Sequence, residues 1–122
     1  LLLNSIQLSI DECVQEVHRL NGLAIPAHVN RKAFGLFANL GLVPPGVAID
    51  ALEISRHITP QQAYLQYPQT REHPLMQSGD VHHLEDFLGC TLFWIEEPSV
   101  NELRLALRCE KGRYLEILGG TK

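Results

Sequence analysis

The sequence predicts an α/β chain in which short parallel strands alternate with helices. Three observations predict it: brief apolar runs of strand character, amphipathic stretches of helical period between them, and capping or turn residues at the junctions. Strands that alternate with helices in this way argue for parallel βαβ units.

The elements follow in order. Residues 8–21, LSIDECVQEVHRLN, predict a helix: Ser9 is placed as N-cap with Glu12 three residues on, and Ile10, Cys13, Val14, Val17 and Leu20 share one face. Gly22 is the expected stop. LAIPAHV, residues 23–29, is almost wholly apolar until His28 and suits a buried parallel strand. Residues 30–41 predict a helix capped by Asn30, with Phe34, Phe37, Ala38 and Leu40 toward the core and Gly41 at its end. LVPPGVAI is a turn-rich connector.

DALEIS, residues 50–55, is the second strand, followed by Arg56 and His57. Thr59 as N-cap and Pro60 at the first helical position then start a short helix. PLMQSGDVH, residues 74–82, is the third strand; HLEDFLG is a helical turn, and TLFWIEE, residues 91–97, is the fourth strand. Residues 99–112 predict a helix with Ser99 as N-cap, Glu102 at the capping-box position and Gly112 as the stop. RYLEIL is a last strand and GGTK a frayed end.

Composition narrows the function classes. A length of 122 residues fits one domain or part of a larger one. Apolar content of 45% and charged content of 20% are those of an ordinary globular protein. A net charge of -4 argues against broad nucleic-acid or membrane binding, though not against one basic pocket. No apolar run is long enough to cross a bilayer, and the first residues lack the basic region and cleavage site of a signal peptide. Cys13, Cys90 and Cys109 are far apart and set among apolar residues, which reads as three buried, reduced thiols of a cytoplasmic protein.

Parallel α/β sheets gather functional groups at the carboxyl ends of their strands. His28 ends the first strand, Arg56 and His57 the second, Asp80 and His82 the third, Glu96 and Glu97 the fourth. Strand alternation places Asp80 and His82 on one side, where a carboxylate and an imidazole suit a divalent cation. Each signal has a plainer reading. His28 alone is more often a hydrogen-bonded core histidine, Asp80 could cap the turn that begins near His83, and Arg56 and His57 could be solvated loop residues. His83 points away from its neighbour, His73 belongs to a surface loop, and His18 to a helix boundary. Glu53, inside a buried strand, needs a metal, an arginine or backbone donors as partner.

GLAIPAHVNR, DALEIS, HPLMQSGDVHHLEDFLG and EEPSVNELRLALRCEKGR, taken in that order, resemble the carboxyl-terminal part of PHP-domain (polymerase and histidinol phosphatase) proteins. The resemblance implies a partial (β/α) barrel, the carboxyl-terminal strands and helices of a distorted (β/α)7 barrel, with residues 1–122 as one portion of that domain. It implies metal-dependent hydrolysis of phosphate esters, with divalent zinc, manganese or iron, on a small phosphorylated substrate or a nucleotide. His28, Asp80 and His82 would be metal ligands; Arg31 and, with less support, His57 would face the substrate phosphate.

The chain also departs from the family pattern. It has no His-x-His strand, and Asn30 and Gly79 stand where relatives often carry Asp and Ser. The expectation is therefore an incomplete active site in this chain and a phosphoesterase in the intact protein. The competing expectation is a non-catalytic half-barrel that binds a metal or a partner, with exposed sheet edges that favour a homo-oligomer. Nucleic-acid processing is a third reading, with little support from the acidic balance.

Overall fold

The computed structural model describes residues 7–32, 35–41, 43–87 and 89–118. Its elements in order are α1 (Ile10–Arg19), α2 (Leu36–Leu40), β1 (Leu52–Ile54), α3 (Pro60–Gln66), β2 (Leu75–Gln77), β3 (Thr91–Trp94), α4 (Val100–Leu107) and β4 (Tyr114–Ile117), with 3₁₀ turns at Pro68–Glu72 and Leu84–Asp86.

The centre of the fold is one βαβ unit. β1 and β2 pair in parallel, Leu52 opposite Leu75 and Ile54 opposite Gln77, with α3 in the crossover between them. Leu52 and Ile54, two residues apart and so on one face, are fully buried. They pack with Val29, Phe37, Ala63 and Leu75, and Phe37 stacks on Tyr67 with ring centroids 5.0 Å apart. The start of α3 follows local rules. Thr59 accepts the Gln62 N–H at 3.2 Å, and the Gln62 side chain accepts the Thr59 N–H at 2.7 Å, so both orphan donors are satisfied.

The expected first strand is extended but is not a regular strand. Residues 23–29 lie beside β1, with Asp50 N–H bonded to Ala24 O (2.9 Å), Glu53 N–H to Pro26 O (3.1 Å) and Val29 N–H to Glu53 O (2.9 Å). Pro26 has no N–H to give, and His28 has φ +29, so the ladder cannot continue. The helix expected over residues 30–41 reduces to α2, with Gly35 at its N-cap. Asn30 is not a cap, Ala38 and Leu40 are exposed, only Phe37 of the expected face is buried, and Phe34 lies outside the described residues.

The fourth and fifth strands correct the all-parallel expectation. β3 and β4 form an antiparallel ribbon, Thr91 opposite Ile117 and Trp94 opposite Tyr114. The ribbon meets β2 through a side chain: Thr91 Oγ1 accepts the Gln77 N–H at 3.0 Å and donates to Gln77 O at 2.6 Å. The helix stops are also reassigned. After α1 the left-handed residue is Asn21 (φ +59), with Gly22 N–H bonded to Val17 O at 2.8 Å; after α4 it is Cys109 (φ +53), with Glu110 N–H bonded to Leu105 O at 2.9 Å. Both are Schellman closures. Gly112 (φ +77) instead belongs, with Lys111 (φ +51), to the turn into β4.

The capping box expected at α4 is half made. Ser99 accepts the Glu102 N–H, but the Glu102 carboxylate turns to Arg113 and to the Glu96 N–H. Of the three cysteines only Cys90 is buried; Cys13 is partly exposed and Cys109 exposed. The predicted GGTK end lies outside the described residues. Among the described residues no helix is long and apolar enough to cross a membrane.

Candidate functional site

Parallel pairing of β1 with β2 sets the loops that follow them side by side. Ser55, Arg56 and His57 leave the end of β1, and Ser78, Gly79 and Asp80 leave the end of β2. Between them lies a cleft of about 540 Å³, lined by Arg31, Arg56, His57, Asp80, His82 and Asp86 among others. Four of the five residues singled out from the sequence, Arg31, His57, Asp80 and His82, thus share one cleft at the carboxyl ends of the strands.

Arg31 arrives there because of its neighbour. Asn30 grips Ser55 twice, donating from Nδ2 to Ser55 Oγ (3.0 Å) and accepting the Ser55 N–H on Oδ1 (2.8 Å). The grip fastens the loop after Val29 to the end of β1, and Arg31 follows. Its Nη1 donates to Asp80 Oδ2. The end of β1 is held from the other side by Gln77, fully buried, which donates from Nε2 to Ser55 O and Ile58 O, each at 2.9 Å.

Asp80 is not on a strand. β2 ends at Gln77, and Asp80 sits in the following loop with φ +51, a region that Asp tolerates. The strand-alternation argument for Asp80 and His82 is therefore corrected, although the two still meet: His82 Nε2 lies 3.4 Å from Asp80 Oδ1.

Sequence reasoning missed the residue that organises the loop. Asp86 accepts the backbone N–H groups of His82 (3.2 Å) and His83 (3.0 Å), and Arg56 Nη1 lies 3.4 Å from its other oxygen. The His82 and His83 N–H groups, followed by Arg56, hold the Asp86 carboxyl below its ordinary value. Gly79 completes the closure. A Cβ there would stand 2.1 Å from Asp86 O, so only glycine lets the two backbones approach. The signal in the sequence was the four-residue step from His82 to Asp86, a spacing that allows a carboxylate to reach back to preceding N–H groups.

His28 is placed differently. It does not line the cleft. Its N–H donates to Glu53 Oε1 at 3.2 Å, which supplies the backbone donor that Glu53 needed, while its Nδ1 is buried without a hydrogen-bond partner among the described residues. His18, read as a boundary histidine, does not line the cleft and touches Asp50 Oδ2 at 2.8 Å, the oxygen that also accepts the Ala24 N–H. Among the described residues no group of three or more His, Cys, Asp and Glu side chains is placed to hold a metal ion. Asp80 is engaged by a guanidinium and His28 stands apart, so the described residues do not by themselves fit a divalent ion.

No family model and no curated protein matches the chain. Two solved structures do. The lesion-specific endonuclease PfuEndoQ from Pyrococcus furiosus superposes with a TM-score of 0.77 at 21% identity, over 90% of this chain and 29% of that one. Endonuclease Q in complex with a 27-mer duplex substrate, with an abasic lesion at the active site, superposes with a TM-score of 0.74 at 20% identity, over 89% of this chain and 29% of that one.

The fold is similar to a segment of Endonuclease Q. The chain spans less than a third of the length of either neighbour. At this identity the likeness speaks for the fold alone. The α/β expectation holds in this coarser form.

Proposed function

We propose that the intact protein is a phosphoesterase acting on the sugar-phosphate backbone of a nucleic acid, and that this chain supplies the phosphate-binding wall of its active site. The observation that carries the reading is the convergence of Arg31, Arg56, His57 and His82 on one cleft at the carboxyl ends of β1 and β2. A guanidinium has five N–H donors in a fixed fork, so Arg31 can keep Asp80 and still present N–H groups to a phosphoryl oxygen. Asp80 and Asp86 orient the two arginines, and His57 and His82 add imidazole donors from opposite loops. The likeness to two structures of Endonuclease Q, an enzyme that by its name cuts within a nucleic-acid strand, favours a nucleic-acid ester over a small sugar phosphate.

The net charge of -4 works against long-range capture of a polyanion, so the affinity must be concentrated in the cleft. The metal-ligand role expected for His28, Asp80 and His82 takes a narrower form within this proposal. Asp80 and His82 remain the adjacent pair, any zinc, manganese or iron ion needs ligands beyond the described residues, and His28 would join only through a rearrangement of its loop.

The test is hydrolysis by the intact protein, supplied with manganese or zinc, of a panel of phosphomonoesters and single- and double-stranded oligonucleotides. Cleavage of an oligonucleotide that falls at least tenfold in Arg31→Ala and in His82→Ala is the expected result. Activity on no member of the panel would overturn the proposal.

A further inference from the structure

The loop from Val81 to Phe87 carries an apolar surface that the phosphate-binding role leaves unused. Leu84 is 85% exposed, Phe87 72% and Val81 42%. Single exposed apolar residues are ordinary, but three within seven residues form a patch. The patch lines a shallow hollow of about 420 Å³. His82 and His83 line both that hollow and the phosphate cleft, so the two surfaces are continuous.

The loop is also braced. Asp86 ties down the His82 and His83 N–H groups, Arg56 lies against Asp86, and Gly79 packs its backbone on Asp86 O. Such bracing fixes the backbone while leaving its largest apolar side chains in solvent, the arrangement expected of a preorganised contact surface.

Resting on the phosphate-binding reading above, we propose that Leu84 and Phe87 form a wedge that stacks against or inserts beside a base of the DNA strand whose phosphate occupies the cleft. The chemistry of the two surfaces is that of one nucleotide: guanidinium and imidazole donors for its phosphate, and an aromatic and an aliphatic face for its base. Glu85, an exposed carboxylate on the same turn, repels a phosphate at the tip and leaves the base as the partner there. Insertion unstacks the neighbouring base, which costs least where the stack is already broken by a missing base.

The experiment uses a duplex with one abasic site flanked by 2-aminopurine, whose emission rises on unstacking, and inorganic phosphate as a competitor. The wild-type chain is expected to bind the duplex and raise the emission. The double variant Leu84→Ser, Phe87→Ser is expected to bind it roughly tenfold more weakly, with no rise in emission and unchanged competition by phosphate. Phe87→Trp should retain the rise. Leu65→Ser removes an apolar side chain of similar exposure on α3, outside the cleft, and should change nothing.

A double variant that matches the wild type in affinity and emission overturns the wedge and leaves the phosphate cleft standing. So does a double variant that loses phosphate competition in equal measure, because the loop would then act through the cleft. A wild-type chain that binds neither duplex nor phosphate overturns both proposals.

Discussion

Asn30 and Ser55 hold each other by two hydrogen bonds, one to the Ser55 hydroxyl and one from its backbone N–H. The pair bridges 25 residues and joins the loop that carries Arg31 to the strand end that carries Arg56 and His57. This side-chain clasp fixes one wall of the cleft to the end of β1.

Asn30→Ala should therefore damage binding and stability together. The part-buried Ser55 N–H loses its acceptor, at a cost of about 1–3 kcal/mol, read as a lower denaturant midpoint. Phosphate affinity should fall with it, although Asn30 itself does not line the cleft. Asn30→Asp keeps the acceptor for the Ser55 N–H and should recover part of both. Full affinity in Asn30→Ala would show that Arg31 is positioned by something else.

The acid limb of stability should report Glu102. Its carboxyl is held below the ordinary glutamate value of 4.5, first by the hydrogen bonds from Arg113 and then by the Glu96 N–H. A lowered folded-state pKa means that the contribution is complete above the unfolded value and is lost as pH falls through the folded one. Stability against urea should thus decline below about pH 4.5, the unfolded glutamate range. Glu102→Gln should flatten that part of the decline while lowering stability at neutral pH, because Arg113 loses the more buried of its two carboxylate partners, Glu102 and Glu96. An acid limb identical in the variant would assign the decline to other carboxylates, of which Asp86 is the next to measure.

Leu52→Ala tests whether the βαβ unit is the core of the molecule. Leu52 is fully buried and pairs with Leu75 across the sheet. Its truncation should cost about 2–5 kcal/mol in chemical denaturation. Leu65→Ala, on the exposed side of α3, should stay within about 0.5 kcal/mol of wild type. Equal effects at the two positions would contradict the packing described.

Much of the local structure was legible in the chain. The starts of α1 and α3 were read correctly, from the Ser9–Glu12 capping box and from Thr59 followed by Pro60, because these signals are complete within a single turn. The βαβ unit followed from two apolar runs separated by a capped helix. The same logic failed for Asn30, which has the chemistry of an N-cap yet spends both side-chain groups on Ser55. It failed in part for Glu102, where an arginine eleven residues away outcompeted the cap's own N–H. Of the candidate site, His57, Asp80 and His82 were legible as chemistry delivered by strand ends, and Arg31 through the family resemblance alone. Asp86 was missed, because its one signal is a short step back to the His82 and His83 N–H groups that any loop aspartate could show.

The sequence by itself determined which stretches are helical, which are apolar and extended, and which polar residues emerge where β1 and β2 end. Those properties reside in spacings of two to four residues. The tertiary structure decided the rest: the antiparallel direction of β3 and β4, the left-handed Asp80, the separation of His28 from the cleft, and the approach of Arg31 to Asp80. Each of these depends on partners brought together by packing, some of them tens of residues apart. A period of two or 3.6 residues encodes which side of an element faces inward, but not which neighbour waits there.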